Sequence, residues 1–269
     1  MTADLKSYFD RIGYEGPQEA SLAVLEELHG LHPSAIPFEN IDPLLKRPVN
    51  IDLASIDAKL VGSQRGGYCY EHNRLFCDVL AELGFAVTPL AARVIWNRPK
   101  DGPRTAHTHR LTKVELKDGA YIADVGFGGN SPTKPIKFEI GLEQPTPHGT
   151  YRIVKFGDDY ELQVALDGNW AGLYRFSLAS QEQADFEVGN WFTSTHPASH
   201  FTFNLTASRV VGDARYNLLN ARLTVRRHDQ AETSIVETAQ KFEELLVERF
   251  GIACPVPISQ LWDIIPKAA

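Results

Sequence analysis

The apolar residues change their spacing once along the chain, near Gly84, and this change constrains the fold more than any other sequence feature. Before it, residues such as Leu22, Leu25 and Leu28 recur at helical intervals. From residue 85 to about residue 178, short segments rich in Val, Ile, Tyr, Phe and Thr are separated by turn residues. The pattern predicts a helical first portion followed by a β region, either a barrel or a curled sheet.

Helix boundaries can be predicted from residues that cap helices. Asn50 is expected to cap a helix that carries Leu53, Ile56 and Leu60. The last helix of the first portion is expected to begin in RGGYC and to end at Gly84. It carries apolar residues on one face, at Leu75, Phe76, Val79, Leu80 and Leu83.

The last third of the sequence mixes both patterns. A polar stretch, SQEQADFEVGNW, is expected to cross from the β region to strands around 222–227 and 232–236. An amphipathic helix with Phe242, Leu246 and Phe250 then ends at Gly251. No internal repeat or long flexible linker separates the portions, so they are expected to pack as one compact unit.

Composition narrows the partners and the compartment. Among 269 residues, 27 basic and 34 acidic side chains leave a net charge of -7, which favours neither nucleic acid nor an anionic membrane as partner. No apolar run reaches about 18 residues, and the start MTADLKSYFD does not match a secretory signal. We therefore expect a cytoplasmic protein. Its cysteines, Cys69, Cys77 and Cys254, are odd in number and lack C-x-x-C spacing, so free thiols are expected.

Cys69 is the candidate nucleophile. It follows Arg65-Gly66-Gly67-Tyr68 at the predicted helix start, where backbone N–H groups and the helix dipole stabilise a thiolate. A small cysteine that merely fills space is the simpler interpretation for an arbitrary cysteine, but polar residues surround this one. Cys77 and Cys254 are interpreted as structural.

A thiol nucleophile needs a base and a group that orients the base. His109, at the start of the strand HRLTKVEL, is preferred to His107 as the base. The histidines at 29, 32, 148, 196, 200 and 228 are expected at the surface. Asp124 lies in an otherwise apolar strand and needs a partner there. A simple hairpin turning at Asp118-Gly119 would place Asp124 opposite Lys113, roughly 13 Å from His109 at about 3.3 Å per residue. Either a bulge or another register joins them, or Asp124 is a structural acid.

The glycine-rich run Val125-Gly126-Phe127-Gly128-Gly129-Asn130 follows directly. Its backbone N–H groups could approach a phosphate or carbonyl oxygen, although a flexible turn is the default interpretation because no phosphate-binding motif matches.

Taken together, RGGYCYEHN at 65–73, THRLTKVEL at 108–116 and ADVGFGG at 123–129 resemble the arylamine N-acetyltransferase family. IPFEN at 36–40 is similar to that family's N-terminal motif, and the chain length and order of portions agree. The distinctive motifs lie in the first half of the chain. One departure is His72, where the family often has glutamine.

The resemblance implies an α+β fold in three portions with a core like that of cysteine proteases. These are a helical bundle over 1–85 that carries the nucleophile, a β-barrel over 86–185 that carries the histidine and aspartate, and an interdomain segment with an α/β lid over 186–269. It further implies a catalytic triad of Cys69, His109 and Asp124, whose histidine-to-aspartate spacing of 15 matches from His109 and not from His107.

The implied activity is a ping-pong transfer of acetyl from acetyl-CoA to aromatic amines and hydrazines, without a metal, in the metabolism of xenobiotics. Phe38 and Phe127 would line the substrate pocket, and Gly126, Gly128 and Gly129 would lie near the coenzyme. The protein would act as a monomer or homodimer.

Two other functions use the same residues. The triad would also serve a thiol hydrolase or a transglutaminase-like enzyme, because such triads occur on unrelated folds. A zinc-binding structural or sensor protein would use Cys69, His72, His107 and His109 as four ligands. That arrangement is disfavoured because a pair of zinc ligands is seldom separated by a single residue.

Overall fold

The first portion of the chain is helical. The computed structural model describes residues 2–99, 102–228 and 230–267. One to three residues of each expected portion, 1–85, 86–185 and 186–269, therefore lie outside the described residues. The helices are α1 (Leu5–Ile12), α2 (Leu22–Ala35), α3 (Ile41–Leu44), α4 (Leu53–Ile56) and α5 (Cys69–Glu82). A short strand, β1 (Phe38–Glu39), separates α2 from α3, and a π-helical segment (Asp57–Gly62) continues α4.

Side-chain caps determine where several of these helices begin. Asp4 and Ser21 accept backbone hydrogen bonds at the starts of α1 and α2. The cap of α4 is Asp52, whose carboxylate accepts from the Ser55 N–H, so the prediction of Asn50 as the cap was wrong by two residues. Helix α5 begins at Cys69 as predicted, and Gly84 follows its end with a φ of 85°.

The second portion is an eight-stranded antiparallel sheet that curls into a nearly closed barrel, with strand order β5-β4-β3-β2-β9-β8-β7-β6. Its strands are β2 (Ala86–Val94), β3 (His107–Leu116), β4 (Gly119–Ala123), β5 (Ile136–Lys137), β6 (Gln144–Thr146), β7 (Gly149–Phe156), β8 (Asp159–Leu166) and β9 (Asn169–Phe176). The side-chain amide of Gln144 links the two edge strands, because it accepts from the Lys137 N–H at 2.7 Å and donates to the Lys137 carbonyl at 2.9 Å.

The last portion contains a second sheet and three helices. These elements are α6 (Gln183–Thr195), β10 (Thr206–Val211), β11 (Ala214–Leu219), β12 (Arg222–Arg227), β13 (Gln230–Ile235), α7 (Ala239–Glu244) and α8 (Ile258–Ile264). A 3-10 turn (His200–Thr202) follows α6, and a π-helical segment (Leu245–Arg249) continues α7. Strand β1 joins this sheet, in the order β1-β10-β11-β12-β13. The last portion of the chain is therefore joined to the first portion by the pairing of β10 with β1.

The polar stretch after the barrel differs from its prediction. SQEQADFEVGNW was expected to be a crossing segment, but most of it forms α6. Glu182 and Asp185 form a reciprocal capping box at the start of this helix, and Phe186 is buried. The helix lies against β3, where the guanidinium of Arg110 stacks on the Phe186 ring at 4.1 Å. Polar composition hid the helix because only a narrow face of it is buried.

Three apolar clusters form the core. The largest cluster joins α1, α2 and α5 and includes Leu28, Phe76 and Leu80, all without solvent exposure. A second cluster fills the barrel around Leu111, Ile153 and Leu173. The third lies between the five-stranded sheet and the last helices. The predicted α+β class is confirmed. Within the described residues, no helix has the length and apolar character that crossing a membrane requires.

Candidate active site

Cys69 is the first residue of α5, and a tightly packed turn presents it. A side chain at Gly66 would overlap the Pro37 carbonyl, and one at Gly67 would lie 2.7 Å from the Glu71 carboxylate. Glu71 in turn accepts from the Tyr68 N–H at 3.0 Å. The thiol is nearly buried, and its Sγ lies 3.6 Å from the Thr108 carbonyl oxygen on the barrel. The two glycines are therefore required by packing, and the turn brings the Cys69 thiol to the boundary between bundle and barrel.

His109 and Asp124 are brought together by the barrel. Nε2 of His109 lies 2.7 Å from Oδ2 of Asp124, and both side chains are buried. Strands β3 and β4 pair Leu116 with Gly119 and Thr112 with Ala123. This register differs by two residues from the simple hairpin, so of the alternatives left open by the sequence it is another register that joins Asp124 to His109. Asp124 follows the end of β4, where the backbone can turn its carboxylate toward His109.

The Asp124 carboxylate is held by more than the histidine. Its Oδ1 accepts from Asn73 Nδ2 at 2.8 Å and from the Gly126 N–H at 3.0 Å. Asn73 lies on α5 one turn after Cys69, and its Oδ1 accepts from the Val125 N–H at 3.0 Å. Nε2 of His29 accepts the Asp124 N–H at 3.1 Å. One helix thus carries the thiol and also fixes the carboxylate.

Burial and charge act in opposite directions on this pair. Burial lowers the pKa of His109, but the charge of Asp124, their hydrogen bond and the adjacent Cys69 thiol together raise it to about 10. Burial similarly opposes ionisation of Asp124, yet His109 and the donors on its oxygens keep its pKa below the ordinary value. The pair is therefore an imidazolium and a carboxylate at neutral pH, and the remaining ring nitrogen, Nδ1, is left for Cys69.

The aromatic and glycine residues named from the sequence surround this group unequally. Phe127 packs edge-on against the His109 ring, with centroids 5.2 Å apart. Phe38 is buried on β1, and a side chain at Gly128, whose φ is 82°, would lie 3.3 Å from its ring. A side chain at Gly126 would lie 3.1 Å from the Cys69 Cα, so this glycine permits close contact with α5.

Gly129 lies farther along the same loop. Its carbonyl oxygen accepts from Asn217 Nδ2 of the second sheet at 3.3 Å. A pocket beside Gly128 is lined by Phe38, Val125, Ser131 and Arg215, and none of the three triad residues lines it. The glycine loop therefore connects the group around Cys69 with the last portion of the chain.

The geometry does not support a zinc site at the four residues considered. Both ring nitrogens of His72 are engaged elsewhere, at His32 and at the Pro37 and Gly67 carbonyls, and His107 is exposed. Within the described residues, no group of three or more His, Cys, Asp and Glu side chains could hold a metal ion.

Sequence reasoning missed two buried histidines and an asparagine. His29 and His32, expected at the surface, have no solvent exposure on α2. His29 follows Leu25 at helical spacing, and this periodicity was the signal that it shares the buried face. Asn73 stands inside the cysteine motif, but its contact with Asp124 crosses 51 residues of chain and has no local signal.

Comparison with known sequences agrees with the family resemblance of the motifs around Cys69, His109 and Asp124. A family profile described as N-acetyltransferase matches residues 21–258. Arylamine N-acetyltransferase from Mycolicibacterium smegmatis is 44% identical over 255 residues, which is 94% of this chain and 93% of the relative. The enzyme of that name from Escherichia coli K12 is 40% identical over 94% of this chain and 90% of its own length. The chain belongs to the arylamine N-acetyltransferase family.

Solved structures of family members share the fold. The arylamine N-acetyltransferase of Mycobacterium marinum in complex with CoA has a TM-score of 0.90 at 44% identity, and the match covers 93% of each chain. The Salmonella typhimurium arylamine N-acetyltransferase has a TM-score of 0.91 at 35% identity, over 98% of each chain. The predicted family is therefore confirmed, together with its helices, barrel and second sheet.

Proposed function

We propose that this protein transfers an acetyl group from acetyl-CoA to the nitrogen of arylamines and arylhydrazines, through an acetyl-Cys69 intermediate. The observation that carries the proposal is the buried Cys69–His109–Asp124 group, in which His109 Nε2 lies 2.7 Å from Asp124 and the thiol contributes to the raised pKa of His109. The names of the relatives and the CoA complex of the Mycobacterium marinum protein support the choice of donor and acceptor.

The first half-reaction acetylates the enzyme. His109 Nδ1 holds the proton taken from the thiol, and the Cys69 thiolate attacks the thioester carbonyl of the donor. When the tetrahedral adduct collapses, the C–S bond to the coenzyme breaks and His109 returns the proton to the departing thiolate. Cys69 is the first residue of α5, and backbone N–H groups in a first helical turn have no partner within the helix. Its N–H is therefore our candidate donor to the oxyanion.

The second half-reaction returns the free enzyme. The acceptor nitrogen attacks the acetyl-Cys69 carbonyl, His109 accepts a proton from that nitrogen, and the bond to Sγ breaks to release the thiolate. Asp124 stabilises the imidazolium in both halves. One thioester replaces another in the first step, so little bond energy is lost before the amide forms.

We further propose roles for the residues around the triad. Phe38 and Phe127 form aromatic walls for the acceptor, since Phe127 packs edge-on against the His109 ring and Phe38 lies beside Gly128 of the adjoining loop. Gly126, Gly128 and Gly129 lie toward the coenzyme, and Gly126 also permits close contact of this loop with α5. The division into portions 1–85, 86–185 and 186–269, with the last as lid, and a cytoplasmic role in xenobiotic metabolism belong to the same proposal.

Mass spectrometry of the intact protein tests the mechanism. After mixing with acetyl-CoA alone, we expect one acetyl adduct on Cys69, which disappears when an aromatic hydrazine is added. Cys69→Ser should fold normally and gain no adduct, whereas Cys77→Ser should behave as wild type. Turnover at the wild-type rate in Cys69→Ser would refute the assignment. Hydrolysis of the donor without any adduct would favour a thiol hydrolase instead.

A further inference from the structure

Three buried side chains form a line of hydrogen bonds that ends beside the nucleophile. Tyr8 Oη on α1 lies 2.8 Å from His32 Nδ1 on α2, and His32 Nε2 lies 2.8 Å from His72 Nδ1 on α5. Nε2 of His72 then lies 3.0 Å from the carbonyl oxygen of Gly67, two residues before Cys69. All three side chains are without solvent exposure.

The position of each proton in this line of hydrogen bonds follows from the Gly67 carbonyl oxygen at its end. Carbonyl oxygens only accept, so His72 Nε2 must carry a hydrogen toward Gly67. Burial lowers the pKa of His72 to about 4 and that of His32 well below its ordinary value, so both rings are neutral at pH 7. Nδ1 of His72 is then an acceptor, His32 donates to it through Nε2, and Tyr8 donates to His32 Nδ1.

The line of hydrogen bonds ends at the Gly67 peptide, where a small displacement of the backbone would also move Cys69. The Gly67 carbonyl also accepts from the Glu39 N–H at 2.7 Å, so it is fixed between β1 and α5. A side chain at Gly126 would lie 3.0 Å from His72 Cβ and 3.1 Å from Cys69 Cα. His72 therefore touches both segments that enclose Cys69, the turn before it and the loop after Asp124.

We propose that His72 is a positioning residue, which holds the Gly67 peptide through Nε2–H and so sets the orientation of Cys69, and that Tyr8 and His32 hold His72 in that tautomer. The inference rests on the proposed function for its catalytic readout only. Misplacement of a reacting group by about 1 Å can cost up to about 10²-fold in rate.

Two replacements of His72 separate its hydrogen bonds from its bulk. In His72→Gln, the amide nitrogen can donate to Gly67 while the amide oxygen accepts from His32, so we expect the acetylation rate of Cys69 to stay within about threefold of wild type. In His72→Leu neither bond remains, and we expect a loss of about 10- to 100-fold. Tyr8→Phe removes one hydroxyl and should cost about two- to fivefold. His228→Leu, at an exposed histidine, is the matched control.

The rate constant of Cys69 acetylation is measured by rapid quenching and mass spectrometry, and the rate of alkylation by iodoacetamide is measured on the same proteins. The two rates should fall together across the series. Alkylation that follows this order in a protein that acetyl-CoA does not acetylate would contradict the proposed function and support the positioning role. Equal rates in His72→Leu and wild type, or equal losses in His72→Gln and His72→Leu at matched melting temperatures, would overturn the inference.

A measurement on the unmodified protein covers the case in which His72→Leu does not fold. Two-dimensional NMR of protein with ¹⁵N-labelled histidine distinguishes the two neutral tautomers. We expect His32 and His72 to carry hydrogen on Nε2, and His29 to carry it on Nδ1 because its Nε2 accepts the Asp124 N–H. A hydrogen on Nδ1 of His72 would contradict the proposed direction of the line.

Discussion

Replacement of Asp124 by asparagine should remove the base function of His109 with almost no change in shape. Oδ1 of Asp124 accepts from Asn73 Nδ2 and from the Gly126 N–H, and both of these groups are donors only. An asparagine at 124 must therefore keep its oxygen there and turn its NH₂ group toward His109. Two donors would then face each other unless His109 moves its hydrogen to Nδ1. That tautomer cannot accept the proton of Cys69.

The magnitude follows from the loss of the correct tautomer. In a triad, a change of this kind lowers kcat by about 10⁴-fold. Each tenfold loss corresponds to about 1.4 kcal/mol of barrier, so we expect an increase of roughly 4 to 5.5 kcal/mol, or 10³- to 10⁴-fold. The pKa of His109 should also fall in this variant, since the charge of Asp124 is the largest influence that raises it.

The assay is the rate of Cys69 acetylation by acetyl-CoA, with circular dichroism to show that the variant is folded. Asp118→Asn is the matched control, because it makes the same change in the same hairpin at an exposed carboxylate bonded to Tyr121 and not to His109. Acetylation of Asp124→Asn within tenfold of wild type would show that the tautomer argument is wrong.

Three further predictions concern the same site. His109→Gln should lose acetylation and His107→Gln should retain it, as measured by the same adduct assay, because the Asp124 carboxylate contacts the ring of His109 and not that of His107. Gly126→Ala should lower the free energy of unfolding by about 1–3 kcal/mol in denaturant titration, since its Cβ would lie 2.9 Å from Asn73 Nδ2. The pKa of His109 is raised from 6.5 to about 10 on folding, so its contribution to stability is complete below pH 6.5 and is lost as pH rises through about 10. The difference in unfolding free energy between wild type and His109→Gln should therefore shrink as pH rises from 6.5 to about 10 and then level off, and a difference that stays constant over this range would contradict the raised pKa.

Local signals predicted the helix that carries Cys69 and failed for elements defined by distant contacts. The glycine pair before Cys69, the apolar stripe from Leu75 to Leu83 and the glycine at 84 are all readable within one helix. The β character of the barrel region was also predicted, from its segments rich in Val, Ile, Tyr, Phe and Thr and from the turn residues between them. In contrast, the helical nature of 183–195 depends on burial of Phe186 against β3, and polar residues dominate its sequence.

In the candidate site, too, local features were predictable and contacts between distant segments were not. The types and order of Cys69, His109 and Asp124 were predictable, but the contact between His109 and Asp124 was predicted only through the family resemblance, because the register of β3 and β4 depends on how the barrel curls. A shift of two residues preserves which face each side chain occupies, so the apolar pattern is compatible with both registers. His32 could not be linked to His72 from sequence, since 40 residues of chain separate them.

The pairing of β1 with β10 has a consequence for synthesis of the chain. Phe38 lies opposite Ser208, and Asn40 bonds to the backbone of Phe201, Asn204 and Thr206. A growing chain that has left the ribosome only as far as the barrel already contains Cys69, His109 and Asp124, but it lacks the strand that holds Phe38 in place. Because domains generally fold in order from the N-terminus during synthesis, β1 gains its partner strand only after the barrel has been made. Premature termination before residue 206 would thus release a chain that contains Cys69, His109 and Asp124 but lacks the strand that pairs with Phe38.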